Sequence, residues 1–167
     1  MVREKFALYR KHLALATALF ISIFLAVAAY GKFFYPAEKL KMLDRGTSIV
    51  EVLLIGMLFL FRLHYRLWLI LCLLFASWGG YALYWLCLKL PCACAGSLIA
   101  FPPTYAFVLD ILFFLLSGTW GWVLKASRSA LYLTLIASFL SVFIGYIFAD
   151  WVFTHEILGM HWSLRKY

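Results

Sequence analysis

Long, unbroken apolar runs separated by short charged stretches set the pattern of this chain. Five runs stand out, at Leu13 to Tyr30, Ile49 to Phe61, Leu67 to Leu88, Pro103 to Leu124 and Ala130 to Phe153. Their hydrophobicity is continuous rather than alternating, which predicts bilayer-spanning helices and argues against the strands of a membrane barrel. The second run is short for a bilayer, so it either tilts or begins earlier, near Thr47.

The stretches between the runs carry the breakers. VREKFALYRKH is a basic, amphipathic lead-in to the first run. GKFFYPAEKLKMLDRGTS holds Pro36 and Gly46 and predicts a short interfacial helix between the first two spans. RLHYR leaves room only for a tight turn, and KASRS forms another. Pro102 and Pro103 suit a helix start, where a missing N–H costs nothing. The last residues, 154–167, read as a small interfacial tail. The first run is too long for a signal-peptide core and lacks a small-residue cleavage site, so it reads as a retained helix. The expected architecture is all-α: one integral membrane domain over residues 1–167, with spans over 13–124 and a fifth over 130–153.

Composition agrees with that class. Of the 167 residues, 66% are hydrophobic and 13% charged, against roughly 45–50% and about 25% in soluble domains. A mean hydropathy of +0.97 leaves little sequence for a soluble domain. The formal net charge of +8 comes from basic residues scattered through loops and ends, the distribution that anchors a chain against anionic lipid. No basic stripe or zinc-finger spacing points to nucleic acid. Basic residues divide almost evenly between the two membrane faces. The N-terminal cluster (Arg3, Lys5, Arg10, Lys11) favours an inside N-terminus, which puts the connection after the third span outside.

That connection, KLPCACAGS, carries the candidate chemistry. Cys92 and Cys94 flank one alanine at the point where the chain leaves the bilayer. A disulfide between them closes a small, strained ring, and strain makes a disulfide easier to reduce. Such a pair suits exchange better than stapling. The plainer reading is two small apolar residues at a helix end. A Cu(I) or Zn site lacks a clear third ligand in the sequence. Cys87 lies close enough along the chain to resolve a disulfide, whereas Cys72 reads as a core residue.

Glu51 and Asp110 are acids inside apolar runs, where an ionisable group is costly and points to function. Glu51 also fits the S-x-x-E capping box begun by Ser48. The bland reading of Asp110 is a bond to a neighbouring helix. Reckoned from the apolar runs, Glu51 lies one turn below the surface and Asp110 about 10 Å below, both on the cysteine side. Lys32 ends the first span on that side, either snorkelling to the headgroups or lowering the pKa of a nearby thiol. His155 and His161, around Glu156, match no helical face and belong with the tail. Trp78-Gly79-Gly80 permits close helix contact.

Gly31-Lys32, Pro36, Glu51, the C-x-C-x-G connection and Asp110 occur in an order that resembles the MauE/DoxX-like redox-associated membrane proteins. The resemblance covers roughly Leu13 to Leu124. Ala95 stands where that family's loop commonly carries an aromatic residue. The resemblance implies a four-helix core handling thiol–disulfide or quinone-linked electrons, with the fifth span outside it. It implies Cys92 and Cys94 as the redox pair, Glu51 and Asp110 as buried polar positions, and an exported or membrane-bound protein partner. A bacterial inner membrane, with the cysteine connection facing the periplasm, is the expected location. A non-catalytic accessory subunit of a larger membrane complex is the alternative.

Overall fold

The computed structural model describes residues 2–37, 40–90, 102–124 and 126–157, with side chains from 9 to 155. Among the described residues the chain is helical, in five long elements. They are α1 (Val2–Phe34), α2 (Lys41–Phe61), α3 (Tyr65–Leu88), α4 (Pro103–Val123) and α5 (Arg128–Val152), followed by a π-helical turn at Phe153–Ile157. Four segments are long and apolar enough to cross a membrane: Tyr9–Phe34, Tyr65–Leu88, Pro103–Val123 and Arg128–His155. Consecutive helices alternate in direction because short connections join them. The C-terminal ends of α1, α3 and α5 therefore share one end of the bundle with the N-terminal ends of α2 and α4.

Three of the sequence expectations change here. Among the described residues there is no separate interfacial helix. α1 runs on to Phe34, and α2 starts at Lys41 and continues unbroken through Gly46. A Cβ at Gly46 would meet nothing within 4 Å, so this glycine weakens the helix without breaking it. Glu51 consequently lies about three turns inside α2 rather than one. Ser48 is no cap either, since its hydroxyl donates to the Arg45 carbonyl at 3.0 Å from within the helix.

The expected start of α4 and the polar turn before α5 hold. Pro103 opens α4. Ser127 caps α5, accepting the Ala130 N–H at 3.1 Å. The turn between α2 and α3 is pinned by Trp68, which donates its indole N–H to the Arg62 carbonyl at 2.8 Å and stacks on Trp120.

Packing divides the helices into two groups. α3 lies between α4 and α5 and packs along both, while α1 and α2 pack on each other. The α3–α5 crossing is the tightest place in the molecule. A Cβ on Gly80 would sit 2.0 Å from the Val142 carbonyl oxygen, and one on Gly145 would sit 1.8 Å from that of Ser77. Only glycine permits this backbone approach, the usual device for holding helices together where lipid removes the hydrophobic drive. α5 is thus built into the bundle instead of lying beside a four-helix core. The α1–α2 pair meets the other three helices through long side chains. Phe20 and Phe24 of α1 reach Phe113 of α4 with ring centroids 5.9 and 5.4 Å apart.

Candidate functional site

The gap between the two groups is not completely filled. A cavity of about 520 Å³ lies in the half of the bundle toward the α3–α4 connection, and every helix contributes to its wall. Most of the lining is apolar, and its charged residues are Lys32, Asp44, Glu51 and Asp110. Lys32 comes from the last turn of α1, Asp44 and Glu51 from α2, and Asp110 from the second turn of α4.

One helical stripe explains how α2 presents its acids. Its buried residues are Asp44, Ser48, Glu51, Leu54 and Leu58, spaced by three and four. The face that is apolar at one end therefore becomes acidic at the other. Asp44 also closes the α1–α2 connection by accepting the Ala37 N–H at 2.8 Å. Asp44 precedes the apolar run, and burial pushes its carboxyl above the ordinary carboxylate range, against the pull of the Ala37 N–H and the Lys32 charge.

Lys32 does not snorkel. Its ammonium turns inward, forms an ion pair with Glu51 Oε1 and lies 5.9 Å from the centre of the Trp78 ring. Glu51 is 2% exposed, and its second oxygen, Oε2, has no hydrogen-bond partner among the described residues. Removing both charges from water is costly, and only close pairing offsets it. Asp110 lies where α4 passes α3, with its Cβ 3.6 Å from where a Cβ on Gly79 would be. A Cβ on Gly79 would be in ordinary contact with the acid, while Gly80 faces α5.

The structure therefore brings Lys32, Glu51 and Asp110 to one cavity. Cys92 and Cys94 lie outside the described residues, in the connection between Leu90 and Pro102. Cys87 is exposed near the end of α3 that leads into it. Cys72 is buried, with its thiol donating to the Phe114 carbonyl at 3.4 Å, as a core residue would be. His155 bonds the Trp151 carbonyl through Nδ1 at 3.0 Å and stacks on that indole; His161 lies outside the described residues. Among the described residues, no three His, Cys, Asp or Glu side chains are grouped to hold a metal ion.

Two acids escaped the sequence reading. Asp44 was assigned to an interfacial stretch, although its spacing of seven from Glu51 places both on one helix face. Asp150, inside the fifth apolar run, accepts the Tyr84 hydroxyl at 2.9 Å and joins α5 to α3. Comparison with protein-family models, curated proteins and solved structures finds no match for this chain. What the geometry offers chemically is a mostly apolar chamber with one ion pair and two further carboxyl groups.

Proposed function

We propose that this chain is a membrane thiol–disulfide oxidoreductase that assists maturation of, or electron transfer with, an exported partner, and that it is a distant relative of the MauE/DoxX-like proteins. The observation that carries the reading is the cavity holding Lys32, Glu51 and Asp110 in the same half of the bundle as the ends of α3 and α4, which the Cys92/Cys94 segment joins. In this reading a partner thiolate attacks the Cys92–Cys94 disulfide. The mixed disulfide resolves when the partner's second thiolate displaces the remaining cysteine, leaving an oxidised partner and a reduced pair. A quinone in the bilayer then takes two electrons and two protons from the pair, which returns to the disulfide while the quinone leaves as quinol. Glu51 and Asp110 are the groups available to pass those protons. The connection faces the periplasm of a bacterial inner membrane.

Acid-quenched alkylation of Cys92 and Cys94 in native membranes, read against the single serine variants, tests the proposal. A mixed population that shifts with dithiothreitol and with quinone is the expected result. Thiols that stay fully reduced and unreactive under both treatments overturn it. The second reading, an accessory subunit, draws on α5, of whose apolar window only 11% is buried within the chain. Co-purification at fixed stoichiometry with a larger complex would favour it.

A further inference from the structure

We infer that the cavity binds a cationic amphiphile, an alkyl chain bearing a protonated amine, which enters sideways from the bilayer. The mouth gives the route. Ile23 and Val27 of α1 and Phe148 of α5 line the cavity, yet they are also 61%, 47% and 41% exposed. On apolar spans these exposed positions face lipid, and α1 and α5 share no packed interface among the described residues. An acyl chain can therefore pass between those helices without crossing a headgroup layer.

The walls and the floor give the chemistry. Phe24, Phe75, Trp78, Phe113 and Phe148 surround the space with rings whose faces attract cations. Asp44, Glu51 and Asp110 supply three carboxyl groups against one lysine, and that lysine is already committed to Glu51. Glu51 Oε2 is buried with no partner among the described residues. A carboxylate in such surroundings needs a proton or a cation, and an unpaired one is costly. The acids are not grouped as ligands for a small metal ion, so an ammonium on an apolar body fits better than a bare ion. A volume of about 520 Å³ falls within the roughly 300–1,000 Å³ of small-molecule sites. An anionic head would meet any ionised acid with like charge, and a neutral head would leave protonation as the acids' only compensation.

Native mass spectrometry of the full chain released from maltoside detergent tests this, with dodecylamine, dodecanol and dodecanoate as probes of equal chain length. One dodecylamine per chain is expected, bound at least tenfold more tightly than dodecanol, with dodecanoate weakest. Asp110→Asn should weaken the amine at least tenfold, and Val27→Trp, a lipid-facing plug at the mouth, should abolish its binding. Equal affinity for amine and alcohol, or amine binding undiminished in both variants, overturns the inference. Ala28→Trp repeats the plug from inside the cavity, and a thermal melt confirms that each variant is folded. Displacement of dodecylamine by phosphatidylethanolamine but not phosphatidylcholine would identify a lipid headgroup as the source of the amine, whereas no displacement would identify a free alkylamine. The Cys92→Ser/Cys94→Ser double variant should bind dodecylamine as the native chain does, so failure of the thiol reading leaves this site intact.

Discussion

The α1–α2 pair and the α3–α4–α5 group solve the same problem by different means. α3 and α5 bring backbone against backbone at Gly80 and Gly145, so their contact is dispersion between surfaces with no room to spare. α1 and α2 bury a polar seam instead, ending in the Lys32–Glu51 pair, and rely on aromatic side chains to reach the rest. The first arrangement leaves no space at the glycine crossing, although a smaller, apolar cavity of about 280 Å³ lies among Cys72, Phe114, Gly118 and Leu135 elsewhere in that group. The second leaves a cavity, because long side chains span a gap without filling it. Stability is concentrated in one region and chemistry in the other.

Glycine substitutions should expose the contrast most strongly. Gly145→Leu puts side-chain atoms where the Ser77 carbonyl already lies, and neither backbone can give way. The expected loss is about 4 kcal/mol or more, in the range reserved for severe core disruption. A folded variant with near-native thermal unfolding in detergent would show that the crossing is looser than described.

Breaking the polar seam comes next. Lys32→Met leaves Glu51 buried without its partner, either as an uncompensated charge or forced to take up a proton, at a cost of about 3–5 kcal/mol. The double variant Lys32→Met/Glu51→Met should recover most of that loss, because both buried charges leave together. If the double variant is no more stable than the single one, the pair is not the source of the effect.

Smaller changes sharpen the boundary between the regions. Trp68→Phe removes the indole bond to the Arg62 carbonyl while keeping most of the stacking on Trp120. A loss of about 1 kcal/mol in chemical denaturation is expected. Gly46→Ala works in the opposite direction. Nothing lies within 4 Å of its Cβ, so the substitution should stabilise α2 by about 0.5–1 kcal/mol. The sign of the effect would then separate glycines that serve contact, in α3 and α5, from one that merely tolerates a helix.

Much of this was legible in the residues, and the misses have local causes. Pro102 and Pro103 marked a helix start because their signal acts through the backbone of the same turn; the cap that Ser127 gives α5 was not read, since KASRS was taken only as a polar turn. Gly46 and Pro36 suggested a break because a glycine and a proline ten residues apart resemble a loop. The helix survives because Pro36 lies outside it and the rest of α2 carries a consistent stripe. That error hid Asp44 and placed Glu51 too near the surface. The partner of Lys32 was equally hidden, since a lysine near a helix end can turn to water or inward with the same local sequence.

The sequence by itself determined the helical membrane class, the five runs and the side of the bundle on which Lys32, Glu51 and Asp110 would meet. Those properties follow from hydrophobic length and from the alternation of direction that short connections enforce. Only the tertiary structure decided that α5 crosses α3 at glycine, that Lys32 pairs with Glu51, and that a cavity separates the two helix groups. Packing distance is set by which side chains face each other across helices, and no single helix carries that information.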